Sequence, residues 1–255
     1  MAEKGIFYGV GIGPGAPGLL TLDAVRLIMD SPVIAAPRTK SGEMLALDIA
    51  KRGLREYPAE TEEDSFWAQK TILPLDFPMT KDKDVLDREH RRAAELVKAH
   101  LDEGRNVAML NLGDVTIYAT VQYIADLLKE DGYEVRLCPG VTSFCASAAA
   151  LGLSLTEMDT PVTILPGSAD TAMTAQSLER PGTKIIMKSA RQLPEVLGLL
   201  HEKGLADTTS AAVNCGLANE RLYGSLTDFE QDLRNDPESS SYFTTLIVKE
   251  NGGTK

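Results

Sequence analysis

Through the first 150 or so residues, short apolar runs of strand length alternate with stretches whose apolar side chains recur every three or four positions. The clearest pairing is residues 106–120, N-V-A-M-L-N-L-G-D-V-T-I-Y-A-T. Residues 107–112 are apolar but for Asn111, the pattern of a strand buried on both faces in a parallel sheet. Gly113 and Asp114 then turn the chain. Asp114 reads as the N-cap of a helix carrying Ile117, Val121, Ile124 and Leu128 on one face. A strand that ends in Gly-Asp at a helix start points main-chain N–H groups out of the carboxyl end of a sheet, where open α/β folds bind ligands. A capped crossover with no ligand would look the same.

The same rhythm predicts strands at 5–11, 33–36, 72–75 and 134–137, with Pro37 stopping the second. Helices are predicted at 20–30, 44–51, 85–103 and 142–151, while residues 53–83 are the least regular part of the chain. Strand and helix in alternation imply a mainly parallel sheet with right-handed crossovers. After Gly152 the rhythm changes. Strands are predicted at 162–165, 184–187, 211–215, 221–226 and 242–248, and helices at 174–179, 193–203 and 228–234. The expected fold class is therefore α/β, as two α/β domains with a ligand cleft between them. The first spans 1–158 with a mainly parallel sheet, and the second spans 159–255 with a mixed one.

Composition narrows the function classes. Hydrophobic residues make up 43% and charged residues 25% of the 255, ordinary for a globular protein. No apolar run reaches the ~18 residues of a membrane span, and residues 1–5 offer no signal peptide. A net charge of −11 argues against general nucleic-acid binding. Cys138, Cys145 and Cys215 are odd in number and lack metal spacing, so neither a disulfide framework nor a metal site is expected, and the expected compartment is cytoplasmic. His90, His100 and His201 fall within helix patterns, where packing or surface roles are expected, and no nucleophile elbow is present.

Two further turns carry candidate chemistry. Gly11 to Ala16 fits the dinucleotide pattern G-x-G-x-x-A, but Pro14 and Pro17 delete N–H donors that a phosphate cradle needs. No acidic residue follows the second strand to hold a ribose. Arg38 is placed to take a 2′-phosphate instead, which leaves an NADP-dependent reductase open. Pro139-Gly140-Val141-Thr142-Ser143 is the other turn, with Thr142 or Ser143 serving a ligand or only capping a helix. The charge run 81–92 is a solvated face unless the substrate is polyanionic.

Taken together, V-G-I-G-P-G-A-P-G-L-L-T (10–21), L-G-D-V-T-I-Y-A-T (112–120) and P-G-V-T-S-F-C-A-S-A-A (139–149) resemble, in order and spacing, the three motifs of the tetrapyrrole (corrin and porphyrin) methyltransferases. A-A-P-R (35–38) and L-P-L-D-F-P-M-T-K-D (73–82) are similar to the C20-methylating branch, which acts on precorrin-2 or cobalt-factor II (cobalt-precorrin-2) in cobalamin synthesis. The resemblance implies a homodimer that binds S-adenosyl-L-methionine in the cleft. By motif, the cofactor contacts it implies are Pro14; Leu112, Gly113, Asp114 and Ile117; and Thr142 with Ser143. Met187 and Gly216 are implied from the second domain. For the substrate's acetates and propionates it implies a basic rim, with Arg38, Lys81 and Arg88 as its main candidates and Tyr118 beside them. Val115 departs from the family's usual proline. Pro37 stands where some relatives carry a proton-accepting aspartate, so no catalytic base is named. Same-fold methyltransferases acting on diphthine-type protein substrates or on RNA ribose remain the alternatives.

Overall fold

In the computed structural model of the chain, the described residues are 3–56, 63–80, 82–189 and 192–250. They divide into two compact units, Met1–Thr142 and Ser143–Lys255. The helix at 143–150 thus falls with the second unit, whereas the change of sequence rhythm had placed the boundary between residues 158 and 159.

The first unit is built on a five-stranded, wholly parallel sheet in the order β3-β2-β4-β1-β5. Its strands are β1 (Phe7–Gly11), β2 (Val33–Arg38), β3 (Thr71–Asp76), β4 (Val107–Asn111) and β5 (Val135–Cys138). The helices are α1 (Leu22–Asp30), α2 (Leu45–Glu56), α3 (Glu63–Ala68), α4 (Lys83–Asp102) and α5 (Val121–Glu130). With right-handed crossovers, the steps β1→β2→β3 put α1 and α2 on one face, and β3→β4 and β4→β5 put α4 and α5 on the other. Sheet residues Phe7, Val33, Ala35, Val107 and Met109 form one core with Val97 and Leu101 of α4 and Ile124 and Leu128 of α5. The alternate residues Ile34, Ala36, Ala108 and Leu110 are buried on the opposite face, as the strand period of two requires.

Three local expectations are corrected. The helix after Gly-Asp starts six residues late, at Val121, so Asp114 is not its N-cap. Gly113 (φ 73°) and Tyr118 (φ 48°) adopt left-handed backbone that no continuous α-helix accepts, and residues 112–120 form a loop instead. Pro37 does not stop β2, which runs on to Arg38. It lies beyond the last residue pair with β4, Ala35↔Met109, so its missing N–H deprives β4 of nothing. The irregular stretch also contains the short helix α3.

The second unit opens with α6 (Ser143–Ala150), which packs on its own sheet at β10 (Thr244–Val248). The other strands are β6 (Val162–Pro166), β7 (Thr183–Met187), β8 (Thr209–Val213) and β9 (Arg221–Tyr223), in the order β6-β7-β10-β8-β9. Only β6 and β7 pair in parallel, so the sheet is mixed. Helices α7 (Thr171–Leu178), α8 (Leu193–Glu202) and α9 (Leu226–Asn235) complete it, with Val196, Leu200 and Phe229 packed against Ile186, Ala211 and Leu246. Among the described residues no helix is long and apolar enough to cross a membrane, and no His/Cys/Asp/Glu group is arranged to hold a metal.

Candidate active site

β1 and β4 lie side by side at the centre of the first sheet, yet the chain leaves them in opposite directions. From β1 it passes beyond β4 to β2, and from β4 it passes over β1 to β5. This is a topological switch point, where open α/β sheets form ligand crevices at the carboxyl ends of their strands. The glycine turns meet there. Gly13 N–H donates to Gly113 O at 3.2 Å and Gly113 N–H to Gly13 O at 2.7 Å, an isolated antiparallel bridge between the two strand exits. The turn after β5 closes on both. A Cβ on Gly140 would lie 2.2 Å from Gly113 O, and one on Gly11 would lie 2.5 Å from Gly140 N. Only glycine permits that approach.

Polar side chains then fix the loop 112–120. Asp114 is 8% exposed and spends both oxygens. Oδ1 accepts from Thr116 N at 2.8 Å and from the Thr116 hydroxyl, while Oδ2 accepts from Gly140 N at 2.9 Å. Burial pushes its carboxyl up, but the donors of Thr116 and Gly140 together outweigh burial and leave it below the usual carboxylate range. Buried Asn111 donates from Nδ2 to Leu112 O at 2.9 Å and Asp114 O at 3.1 Å. Gln122 Nε2 donates to Val115 O at 2.7 Å. The loop is therefore held in a non-helical shape from three sides, and Tyr118 stays 44% exposed at its tip.

Of the residues singled out in the sequence, this cluster brings together buried Pro14, Gly113 and Asp114, half-buried Leu112 and Ile117, and Tyr118. Half-buried Thr142 ends the first unit and Ser143 begins α6 in the second. Within the second unit, Met187 ends β7 and Gly216 follows β8; both strands run antiparallel to β10, so these residues share one sheet edge. That edge also holds two non-glycine residues in left-handed backbone, Lys188 (φ 59°) and Asn214 (φ 54°), a concentration of strain the sequence did not announce. Gly216 N–H donates to the Glu220 carboxylate at 2.7 Å.

The basic candidates separate. Arg38 is clamped by Asp76 through two hydrogen bonds, Nε to Oδ1 at 2.9 Å and Nη2 to Oδ2 at 2.8 Å. Arg88 is an exposed residue of α4 beside Glu89, at 3.3 Å. Lys81 lies outside the described residues. His90 stacks on Tyr123 with ring centroids 4.4 Å apart, and burial lowers its pKa. His201 meets Glu230 at 2.7 Å on the surface. Burial pushes the Cys138 thiol up, so it is no ready nucleophile. A polar groove of about 340 Å³ between α4 and α5 contains none of the turn residues. The sequence reading missed Asn111, the Gly140 N–H and Asp76 as hydrogen-bond partners of the candidate residues. Asn111 had a signal of its own, as the one polar residue in an apolar strand.

A doubly wound sheet whose glycine turns interlock at its switch point is the arrangement in which open α/β proteins bind ligands at their strand ends. The family described as Tetrapyrrole (Corrin/Porphyrin) Methylases matches residues 7–230, and the chain belongs to it. A Methanocaldococcus jannaschii protein named a probable cobalt-precorrin-2 C(20)-methyltransferase is 36% identical over 196 residues, 77% of each chain. A precorrin-2 C(20)-methyltransferase of Sinorhizobium is 30% identical over 256 residues, 96% of this chain and 95% of that one. The solved structure of a uroporphyrin-III C-methyl transferase from Thermus thermophilus, complexed with S-adenyl homocysteine, aligns with a TM-score of 0.62. It covers 96% of this chain and 98% of that chain at 23% identity, a likeness of fold alone.

Proposed function

We propose that this chain transfers the methyl group of S-adenosylmethionine to C20 of precorrin-2, or of its cobalt-bearing form, in cobalamin biosynthesis. The observation that carries this reading is its 36% identity, across 77% of both chains, to a protein named for that reaction on cobalt-precorrin-2. We further propose that it acts as a cytoplasmic homodimer. Its cofactor contacts would be Pro14, Leu112, Gly113, Asp114, Ile117, Thr142, Ser143, Met187 and Gly216, with Arg38, Lys81, Arg88 and Tyr118 toward the substrate.

The residues at the turns fit this cofactor. The loop 112–120 is non-helical, so its main-chain groups are not all consumed by helix hydrogen bonds, and its half-buried Leu112 and Ile117 suit a nucleoside face. Asp114, held ionised among its donors, gives the turn the negative sign that a sulfonium takes. When bound, S-adenosylmethionine supplies an electrophilic methyl for in-line displacement by an electron-rich carbon.

The work left to the protein is positioning and exclusion of water, which can supply ~7–11 kcal/mol. The turns suit that role because main-chain hydrogen bonds and the Asp114 carboxylate hold them together. The C20 proton is then acidified by the adjacent conjugated cation and leaves to water or a substrate carboxylate, for Pro37 offers no titratable group and Asp114 has both oxygens engaged. The test is incubation with labelled S-adenosylmethionine and precorrin-2, with and without cobalt. A singly methylated product, placed at C20 by NMR, is expected. Methylation at another carbon, or of a protein or RNA substrate only, would transfer the reading to another branch of the fold.

A further inference from the structure

Arg38 and Asp76 form the last residue pair of the β2–β3 ladder. That ladder outruns its neighbour, since β2 pairs with β4 only from Val33 to Ala35 while β4 runs on to Asn111. Carrying the register Ala35↔Met109 forward three residues on each strand puts Arg38 level with Leu112, at the Gly-Asp turn. Adjacent strands are about 4.8 Å apart, so the guanidinium-bearing strand end stands at least about one strand spacing to the side of that turn.

The ion pair is side-on. Nε donates to Oδ1 at 2.9 Å and Nη2 to Oδ2 at 2.8 Å. A guanidinium carries five N–H donors in one plane, and a side-on clamp uses only Nε–H and one Nη2–H. Geometry then directs the remaining edge, formed by Nη1 and the outer Nη2 hydrogen, away from Asp76. That edge is a second fork, matched in spacing to a carboxylate. The Asp76 carboxyl is held below its ordinary range, first by the Arg38 hydrogen bond and further by the charges of Arg38 and Arg92, so the clamp stays intact near neutral pH. Exposed pairs of this kind contribute little to stability. Their fixed geometry matters where a third group must be read.

We propose that Asp76 is a positioning residue that presents the end-on edge of Arg38 to one carboxylate of the tetrapyrrole substrate. This rests on the substrate class proposed above. Asp76 never touches the substrate; it holds the plane of Arg38, so that a flexible side chain becomes a fixed carboxylate reader beside the cofactor turn. The site would accept tetrapyrroles that carry a peripheral carboxylate there and discriminate against those with a neutral group.

The experiment measures binding and turnover separately. Precorrin-2, metal-free and cobalt-bearing, is titrated anaerobically into the wild type and into Arg38→Ala, Arg38→Lys, Asp76→Ala and the Arg38→Ala/Asp76→Ala double variant. Binding is followed by tetrapyrrole absorbance and turnover by product mass. Arg38→Ala should weaken substrate binding roughly ten- to a hundredfold. Arg38→Lys, which keeps the charge but loses the fork, should behave more like Arg38→Ala than like the wild type. Asp76→Ala should weaken binding severalfold, and removing Asp76 from the Arg38→Ala background should change nothing further, because it acts only through Arg38. Melting temperature and S-adenosylmethionine affinity should hold in all four. Unchanged or tighter substrate binding in Asp76→Ala, or additive losses in the double variant, overturns the proposal. Wild type that binds the tetrapyrrole with this pattern but does not methylate C20 overturns the proposed reaction and leaves the carboxylate reader standing. Wild type that binds neither form overturns both.

Discussion

The carboxylate of Asp114 accepts the main-chain N–H of Gly140 at 2.9 Å, joining the turn after β4 to the turn after β5, two strands separated by β1. One side chain thus spans the switch point and fixes how the glycine turns face one another. Its second oxygen shapes the loop through Thr116.

Asp114→Ala should therefore lower both stability and S-adenosylmethionine affinity. Stranding buried donors costs on the order of 1–3 kcal/mol. The pH dependence has a definite sign. Because the folded carboxyl titrates below its unfolded value of roughly 3.9, its contribution is present above that pH and is lost as pH falls through the folded pKa. Urea unfolding followed from neutral pH down through this range should show a shallower acid limb in Asp114→Asn than in the wild type. Parallel limbs would mean that the charge itself does no stabilising.

The glycine contacts make a paired prediction. Gly140→Ala brings a Cβ to 2.2 Å from Gly113 O and should destabilise by about 1–3 kcal/mol or more while reducing cofactor affinity. Gly18→Ala, with nothing within 4 Å of the added Cβ, should stay within about 0.5 kcal/mol of the wild type. Equal melting curves for the two variants would contradict the stitched-turn description.

Much of this arrangement was legible in the residues. Apolar runs separated by helix-period stretches gave a parallel sheet, and G-I-G-P-G, G-D and P-G marked the three turns that meet. What stayed hidden depended on tertiary context. Asp114 has the chemistry of an N-cap, and nothing local says that its acceptors go instead to Thr116 and to Gly140, 26 residues away. Pro37 looked like a stop because its effect depends on which neighbour needs its N–H, a property of strand order. Arg38 read only as an anion-binding group, since its partner Asp76 is fixed only by the register of β2 on β3.

His90 supplies a second pH test in the same unit. Burial against Tyr123 and Phe77 lowers its pKa, opposed by the charge of Asp87, so the folded state favours the neutral ring. Stability from the neutral ring is present above the unfolded value of roughly 6.5 and declines as pH falls through the folded pKa. His90→Phe keeps an aromatic ring on Tyr123 and removes the titration. The difference in unfolding free energy between variant and wild type should shift in the variant's favour between neutral pH and about pH 5. A pH-independent difference would count against the buried neutral histidine.

Asn111 offers a test of whether the loop must be held before it can bind. Its amide satisfies Leu112 O and Asp114 O from a position 7% exposed. Asn111→Leu preserves volume and strand propensity but strands two carbonyls, so stability should fall by roughly 1–3 kcal/mol. Cofactor affinity should fall with it, because the loop then pays an ordering cost on binding. Calorimetric titration against S-adenosylmethionine measures this directly. Undiminished affinity in a destabilised variant would confine Asn111 to the fold.

The last prediction concerns the proton at C20. A positioned side-chain base typically contributes ~10²–10⁴-fold, and the described turns offer no group suited to the task. Asp114 is held ionised with both oxygens already accepting. Burial raises the pKa of the Tyr118 phenol, so it keeps its proton near neutrality, and Pro37 cannot titrate. His90 is packed between Phe77 and Tyr123. With C20 acidified by the adjacent cation, water or a substrate carboxylate suffices as acceptor. Single-turnover methyl transfer at saturating cofactor and substrate should therefore fall by less than about a hundredfold for alanine at Asp114, Tyr118, Asp76 or His90. A variant that binds both reactants normally, transfers methyl about a thousandfold slower and shifts the pH–rate profile would refute this and identify the base.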